Sequence, residues 1–254
     1  MMTRQEVNEI SFTTNKNDLV QIFKSLDNIV LDAAFTLDSE GLTCRTMDPS
    51  HVSLIDIAIE KNDFEKYETN LDNGKTIKFS LNVKEFLSIL KELDKTGSIQ
   101  IVIESDHVKL SQNGFSFSIV KKESSEYDCP IPKIGYQTEV QFLYMSNADL
   151  LKTFKKISSI SDYVTFESSD SGLELSGSGD NGKTKISLDH SKILIGHRED
   201  SISTYSLEYI VPFLKSVTKD TKIKMEYATT KPLKISTNLG DSRIQFYLAP
   251  RVEN

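Results

Sequence analysis

Four histidines, two cysteines and one glycine-rich stretch are the residues of this 254-residue chain from which chemistry would be built. His51, His107, His190 and His197 show no metal-ligand clustering. Cys44 and Cys129 lie far apart, make no ligand spacing, and read as free thiols in a reducing interior. Gly177-Ser178-Gly179-Asp180-Asn181-Gly182-Lys183, followed by Thr184, has the composition of a phosphate loop. Its glycines are wrongly spaced and no parallel βα unit surrounds it, so it reads as a hairpin turn. No Walker A, His-Glu-x-x-His or Gly-x-Ser-x-Gly sequence occurs. His51 could act as a general base, yet no nucleophile or carboxylate pair accompanies it. The sequence therefore names no catalytic residue, no metal and no cofactor; only an active site assembled from distant residues stays open.

Composition frames what must position any site. With 38% hydrophobic and 26% charged residues, the chain reads as an ordinary globular protein rather than a disordered one. Its length exceeds what one hydrophobic core fills, which sets an expectation of two domains. No apolar run reaches the roughly 20 residues of a membrane span, and the N-terminal Met1–Glu6 lacks the apolar segment of a signal peptide. A cytoplasmic protein is expected. Thirty Lys and Arg against 37 Asp and Glu give a net charge of −7, which argues against a binder that grips nucleic acid by bulk attraction. It leaves open a protein that segregates its charges.

An internal repeat organises the chain. Residues 15–42 and 146–173 align without a gap at an offset of 131, with identities at Asp18/Asp149, Leu19/Leu150, Phe23/Phe154, Lys24/Lys155, Ile29/Ile160, Phe35/Phe166, Gly41/Gly172 and Leu42/Leu173. Two unrelated amphipathic helices could agree by chance; the retained spacing from helix to turn glycine favours duplication. Leu19, Ile22, Phe23 and Leu26 predict a buried helix face near 17–28, and Leu150, Leu151, Phe154 and Ile157 repeat it. Asn17, Asp18, Asn147 and Asp149 are suited to capping these helices. Strands follow at Ala33–Leu37 and Leu42–Met47, joined by a turn at Asp38–Gly41 that Ser169–Gly172 repeats. A second helix in each half carries Val83, Phe86, Leu87, Leu90 and Leu93, or Leu207, Ile210, Val211, Leu214 and Val217. Alternating strands come next, at Ile99, Ile101 and Ile103 and at Ile223, Met225 and Tyr227. Pro212 fits the last helix in its first turn and otherwise implies a kink. The expected fold is α+β: two similar domains, each a duplicated unit of one helix and several antiparallel strands. Boundaries fall at 1–120 and 136–254, with 121–135 as a connecting linker that closes on Pro130 and Pro132.

The four helical windows 16–28, 82–95, 148–157 and 207–222 carry 0, 0, +2 and +1, leaving −10 for the rest of the chain. Their lysines are either ordinary solvated faces or a surface presented to a polyanion.

Met47-Asp48-Pro49-Ser50-His51-Val52-Ser53-Leu54 and the C-terminal Tyr247-Leu248-Ala249-Pro250 resemble the corresponding motifs of the proliferating cell nuclear antigen family of sliding clamps, particularly its archaeal members. The likeness extends over essentially the whole chain. It implies a sliding-clamp fold, with helices on one face and sheets on the other, closed into a ring of three subunits around double-stranded DNA. Such a ring is a non-enzymatic processivity factor for DNA polymerase that also tethers flap endonuclease and ligase and is opened by a clamp loader. By position, Lys16, Lys24, Lys84, Lys91, Lys152, Lys155, Lys156, Lys215, Lys219 and Lys222 would face DNA phosphates. Met47, His51, Val52, Leu54, Ile131, Pro132, Pro232, Tyr247, Leu248, Ala249 and Pro250 would line a partner-peptide pocket. Phe115, Phe117 and Ile119, with Lys183, Lys185 and Ile186, would lie on the edge strands joining subunits. One departure concerns the linker, where Tyr127, Cys129 and Pro130 replace the family's usual aliphatic residues. A clamp-like subunit of a heteromeric ring and a hydrolase on a duplicated scaffold are the alternatives. The resemblance implies a cytoplasmic, nucleoid-associated protein if archaeal and a nuclear one if eukaryotic, without a membrane partner.

Overall fold

The structure, a computed structural model, describes residues 10–72, 74–123, 140–144, 146–169, 172–180, 182–188, 193–197 and 200–251. The chain divides into two compact units, one of residues 1–46, 56–130 and 239–243 and one of residues 47–55, 131–238 and 244–254.

The first unit is built from β1 (Ile10–Asn15), α1 (Lys16–Asp27), β2 (Asp32–Leu37), β3 (Gly41–Met47), β4 (Ser53–Glu60), β5 (Lys66–Thr69), β6 (Ile77–Asn82), α2 (Val83–Glu92), β7 (Ser98–Ile103), β8 (His107–Gln112) and β9 (Phe115–Val120). Its strands run in the orders β5-β1-β7-β8-β9 and β6-β2-β3-β4. The second unit repeats this with β10 (Val140–Tyr144), α3 (Asn147–Ser158), β11 (Tyr163–Ser169), β12 (Gly172–Gly179), β13 (Gly182–Ser187), β14 (Ile193–His197), β15 (Ser201–Ser206), α4 (Leu207–Ser216), β16 (Ile223–Tyr227), β17 (Leu233–Leu239) and β18 (Ser242–Leu248). The orders are now β14-β10-β16-β17-β18 and β15-β11-β12-β13. The two units are therefore equivalent strand for strand, as a duplication requires.

The repeat is exact in length at the helices. Lys16 and Asn147 open α1 and α3, and Asp27 and Ser158 close them, both pairs 131 residues apart. The second helices, α2 and α4, are offset by 124 residues at both ends, as are β6 and β15. The expected apolar faces are buried, with Leu19, Ile22, Phe23 and Leu26 matching Leu150, Phe154 and Ile157. Leu151 and Val211 are only half-buried. Phe213, absent from the predicted face of α4, is buried and stacks on Phe246 at 4.8 Å.

Three local expectations change. The cap of α1 is Asn15, whose side chain accepts from the Asn17 amide at 2.8 Å. Asn147 does not cap α3; its side-chain amide donates to the carbonyls of Leu214 and Val217 at 2.8 and 2.9 Å and ties α3 to the end of α4. Pro212 is the sixth residue of α4, beyond the first turn, so the Glu208 carbonyl receives no i+4 amide. The turn glycines conform to expectation: Gly41 has φ +145°, and a Cβ there would lie 2.1 Å from the Ile59 carbonyl oxygen. Gly172 repeats the conformation at φ +133°. No described helix is long and apolar enough to cross a membrane.

Candidate functional site

The helices place the lysines. Amphipathic periodicity turns the apolar face of each helix inward, so a lysine off that face emerges into water. Lys24, Lys84, Lys91, Lys152, Lys155, Lys156 and Lys215 are exposed on α1 to α4 in this way. Lys219 and Lys222 are also exposed but follow the end of α4, outside the helix the sequence assigned them to. None of these nine makes an ion pair with a described residue. Among the described residues each is a cation without a charge partner.

Lys16 corrects the tenth assignment. It is 7% exposed, its ammonium donates to the Leu93 carbonyl at 2.7 Å, and its amide donates to the Gly97 carbonyl at 3.1 Å. It fastens the start of α1 to the segment after α2. A buried ammonium so engaged cannot face a phosphate.

The loop 47–54 and the C-terminal segment form the second candidate site. Asp48 is 5% exposed, and its carboxylate accepts from the amides of Ser50 and Val52 at 3.0 and 2.8 Å, from the Ser53 amide and from the Ser53 hydroxyl. The His51 amide donates back to the Asp48 carbonyl at 2.9 Å. Under this constraint His51 takes a left-handed φ of +57° and stands exposed. The Ala249 amide donates to the Val52 carbonyl at 2.8 Å, so loop and C-terminal segment lie side by side. Beyond it the Arg251 amide donates to Thr204 at 2.8 Å, and the Arg251 guanidinium sits 3.9 Å above the Tyr163 ring. The Tyr205 hydroxyl donates to the Lys231 carbonyl at 2.8 Å, next to Pro232.

Met47, Val52, Pro232, Tyr247, Ala249 and Pro250 are half-buried. Leu54 and Leu248 are not lining residues: they are 4% and 0% exposed and point into the core. Strand alternation explains Leu248, which keeps the phase of the buried Ile244 and Phe246 and leaves Tyr247 for the surface; Leu54 lies on a strand buried on both faces. Ile131 and Pro132 lie outside the described residues. Asp48, which the sequence placed inside the motif without a role, is the residue that shapes the loop.

The edge strands are the third. β9 and β13 are each the last strand in their order. Phe115 is 66% exposed and Phe117 half-buried, whereas Ile119 is 2% exposed and belongs to the core. Val120, 64% exposed, is the outward apolar residue at that end. On β13 Lys183 is exposed, Ile186 is half-buried, and Lys185 pairs across the ladder with Glu174 at 2.7 Å. The first linker residues belong to the first unit: Lys122 exchanges backbone hydrogen bonds with Ser80 and pairs with Asp32 at 2.7 Å. Cys44 is no reactive centre, because burial, and then the nearby Asp56 charge, push its thiol up to about 12.

A protein of two duplicated α+β units, each presenting helix lysines and an unpaired edge strand, has the architecture of a DNA clamp. Solved clamps share the fold. A. fulgidus PCNA bound to the C-terminal region of FEN-1 superposes with a TM-score of 0.87 at 18% identity, covering 96% of this chain and 99% of that one. PCNA from Entamoeba histolytica gives 0.84 at 24% identity, covering 97% and 99%. The N-terminal domain of proliferating cell nuclear antigen matches residues 9–139, and its C-terminal domain matches residues 130–252. The DNA polymerase sliding clamp of Nitrosopumilus maritimus is 39% identical over 95% of this chain and 98% of its own length; that of Cenarchaeum symbiosum is 34% identical over the same shares. This chain belongs to the proliferating cell nuclear antigen family.

Proposed function

We propose that the chain is a DNA polymerase processivity factor: a ring-shaped sliding clamp that encircles duplex DNA and tethers replication and repair enzymes. The observation that carries the reading is the set of exposed helix lysines, free of ion pairs with described residues, in both units of a protein otherwise strongly acidic. Contacts from many separate cations to phosphates are weak and interchangeable, so they hold DNA without fixing a position along it. The net negative charge of the remainder discourages DNA from adhering elsewhere.

Domains 1–120 and 136–254, with 121–135 between them, form one subunit, and three copies close the ring. Phe115, Phe117 and Val120 on β9 meet Lys183 and Ile186 on β13 of the next copy, because an edge strand with free amides and carbonyls accepts another strand. Partner proteins (polymerase, flap endonuclease, ligase) insert a short peptide with aliphatic and aromatic anchors beside His51, Val52 and Tyr247, and a clamp loader opens the ring. The clamp itself carries out no reaction and works in the compartment that holds the chromosome.

Mass measurement by light scattering tests the assembly, and stimulation of a polymerase on primed circular DNA tests the function. A trimer that stimulates synthesis is the expected result. A stable monomer at micromolar concentration would instead indicate a subunit of a heteromeric ring.

A further inference from the structure

The two units solve one packing problem with different side chains. Phe35 and Phe166 are equivalent, 131 residues apart, and both are buried. Tyr205 and Tyr227 stand edge-on to Phe166, with ring centres 5.4 and 5.3 Å away. Their counterparts 124 residues earlier are Leu81 and Ile103. The first unit places its rings elsewhere: Phe86 stacks on Phe23 at 3.8 Å and Phe79 on Phe35 at 5.7 Å, where the second unit has Ile210 and Ser203. Stacking the rings in pairs leaves a cavity of about 180 Å³ beside Phe35, with Leu81 and Ile103 on its wall. Protein interiors close most voids larger than a water molecule, and one of this size with apolar walls takes up small apolar molecules.

The polar part of the wall is acidic. Asp18, Asp63, Leu239 and Gly240 are the lining residues that reach solvent and so mark the mouth. Asp63 is held by the Asp241 amide at 3.1 Å and by the Ser242 hydroxyl. The Asp18 carboxylate accepts no hydrogen bond from a described residue. Burial, then repulsion from Asp63 and Glu65, holds its carboxyl above the usual range. A cation arriving there offsets the repulsion between these carboxylates.

We propose that this cavity is a binding site for a small apolar molecule with a cationic end: an aromatic ring fills the space between Phe35, Leu81 and Ile103, and an ammonium group sits at Asp18 and Asp63. The site is independent of ring assembly and of DNA. Benzylamine and toluene, titrated into the full-length methyl-labelled protein at pH 7, are the probes, read at the Ile22 and Ile101 methyls on the cavity wall. Both shift these signals saturably, and benzylamine binds about three- to fivefold tighter, the scale of a half-exposed ion pair. Asp18→Asn lowers that preference, leaving only Asp63 to face the ammonium, and leaves toluene unchanged. Leu81→Phe with Ile103→Phe, which restores aromatic side chains where the second unit has them, binds neither probe; Ile103→Phe alone serves if the pair does not fold. No saturable shift with either probe, equal or tighter binding of toluene, or undiminished binding by the filled variant overturns the assignment.

Discussion

The Ala249 amide and the Val52 carbonyl meet at 2.8 Å, joining the C-terminal segment to a loop that Asp48 already holds from within. On the proposed reading a partner peptide docks against two segments already tied together, which lose little freedom on binding, so their exposed side chains can contribute most of their contact energy.

His51→Ala with Tyr247→Ala should weaken a partner peptide about tenfold or more, the scale of losing buried anchors at an interface centre. The trimer mass should not change. Leu248→Ala should act differently, costing about 2–5 kcal/mol of stability because it empties a core position. Fluorescence anisotropy with a labelled peptide, beside thermal unfolding, separates the two; unchanged affinity in the surface pair would remove the groove assignment.

Lys152→Ala, Lys155→Ala and Lys156→Ala together should reduce polymerase stimulation and flatten its salt dependence while leaving the ring intact. Lys16→Met should do the reverse. Removing its bond to the Leu93 carbonyl leaves a buried acceptor unpaired, at about 1–3 kcal/mol, with stimulation at low temperature preserved. Full stimulation by the triple variant would mean that the helix face does not meet DNA.

Gly41→Ala should destabilise the first unit by more than the roughly 1–3 kcal/mol of a disfavoured backbone conformation, because the added Cβ also collides with the Ile59 carbonyl. A urea midpoint equal to that of the parent protein would contradict the turn geometry.

Asp18 sets a pH dependence. Its carboxyl is raised in the folded protein, so the native state holds more protons than the unfolded chain just above the ordinary carboxylate value of 3.8. Stability contributed at this site therefore falls as pH rises through that window. Asp18→Asn should be more stable than the parent at pH 7, by at most about 1 kcal/mol for a group this exposed, and the difference should close below the window. Denaturant titrations at the two pH values check the sign.

Much of the fold was legible because its signals are local. The period of apolar residues placed α1 within one residue of its observed limits, and the shared turn glycine exposed the duplication before any strand was paired. Cap choice was less legible: Asn147 has the composition of a cap residue, but a tertiary acceptor on α4 competes for its side chain and wins. Phe213 was missed because Pro212 broke up the pattern around it, although its spacing from Ile210 was there to be read.

The candidate sites divide along the same line. Residue type and position in the motif marked His51 and Tyr247, while strand phase put Leu248 in the core; Leu54, on a strand buried on both faces, and Ile119, in phase with the exposed Phe115, were placed there by tertiary packing. Residue type alone made Lys16 a surface cation; a carbonyl 77 positions away made it a buried one.

By itself the sequence determined the periodicities, the repeat and the family motifs, since each depends on residues a few positions apart or on direct comparison of two segments. Which lysines keep their charge free, how Asp48 shapes its loop, and where stacked rings leave a cavity were decided only by the tertiary structure. Those outcomes depend on competition between distant groups for the same space and the same hydrogen-bond acceptors.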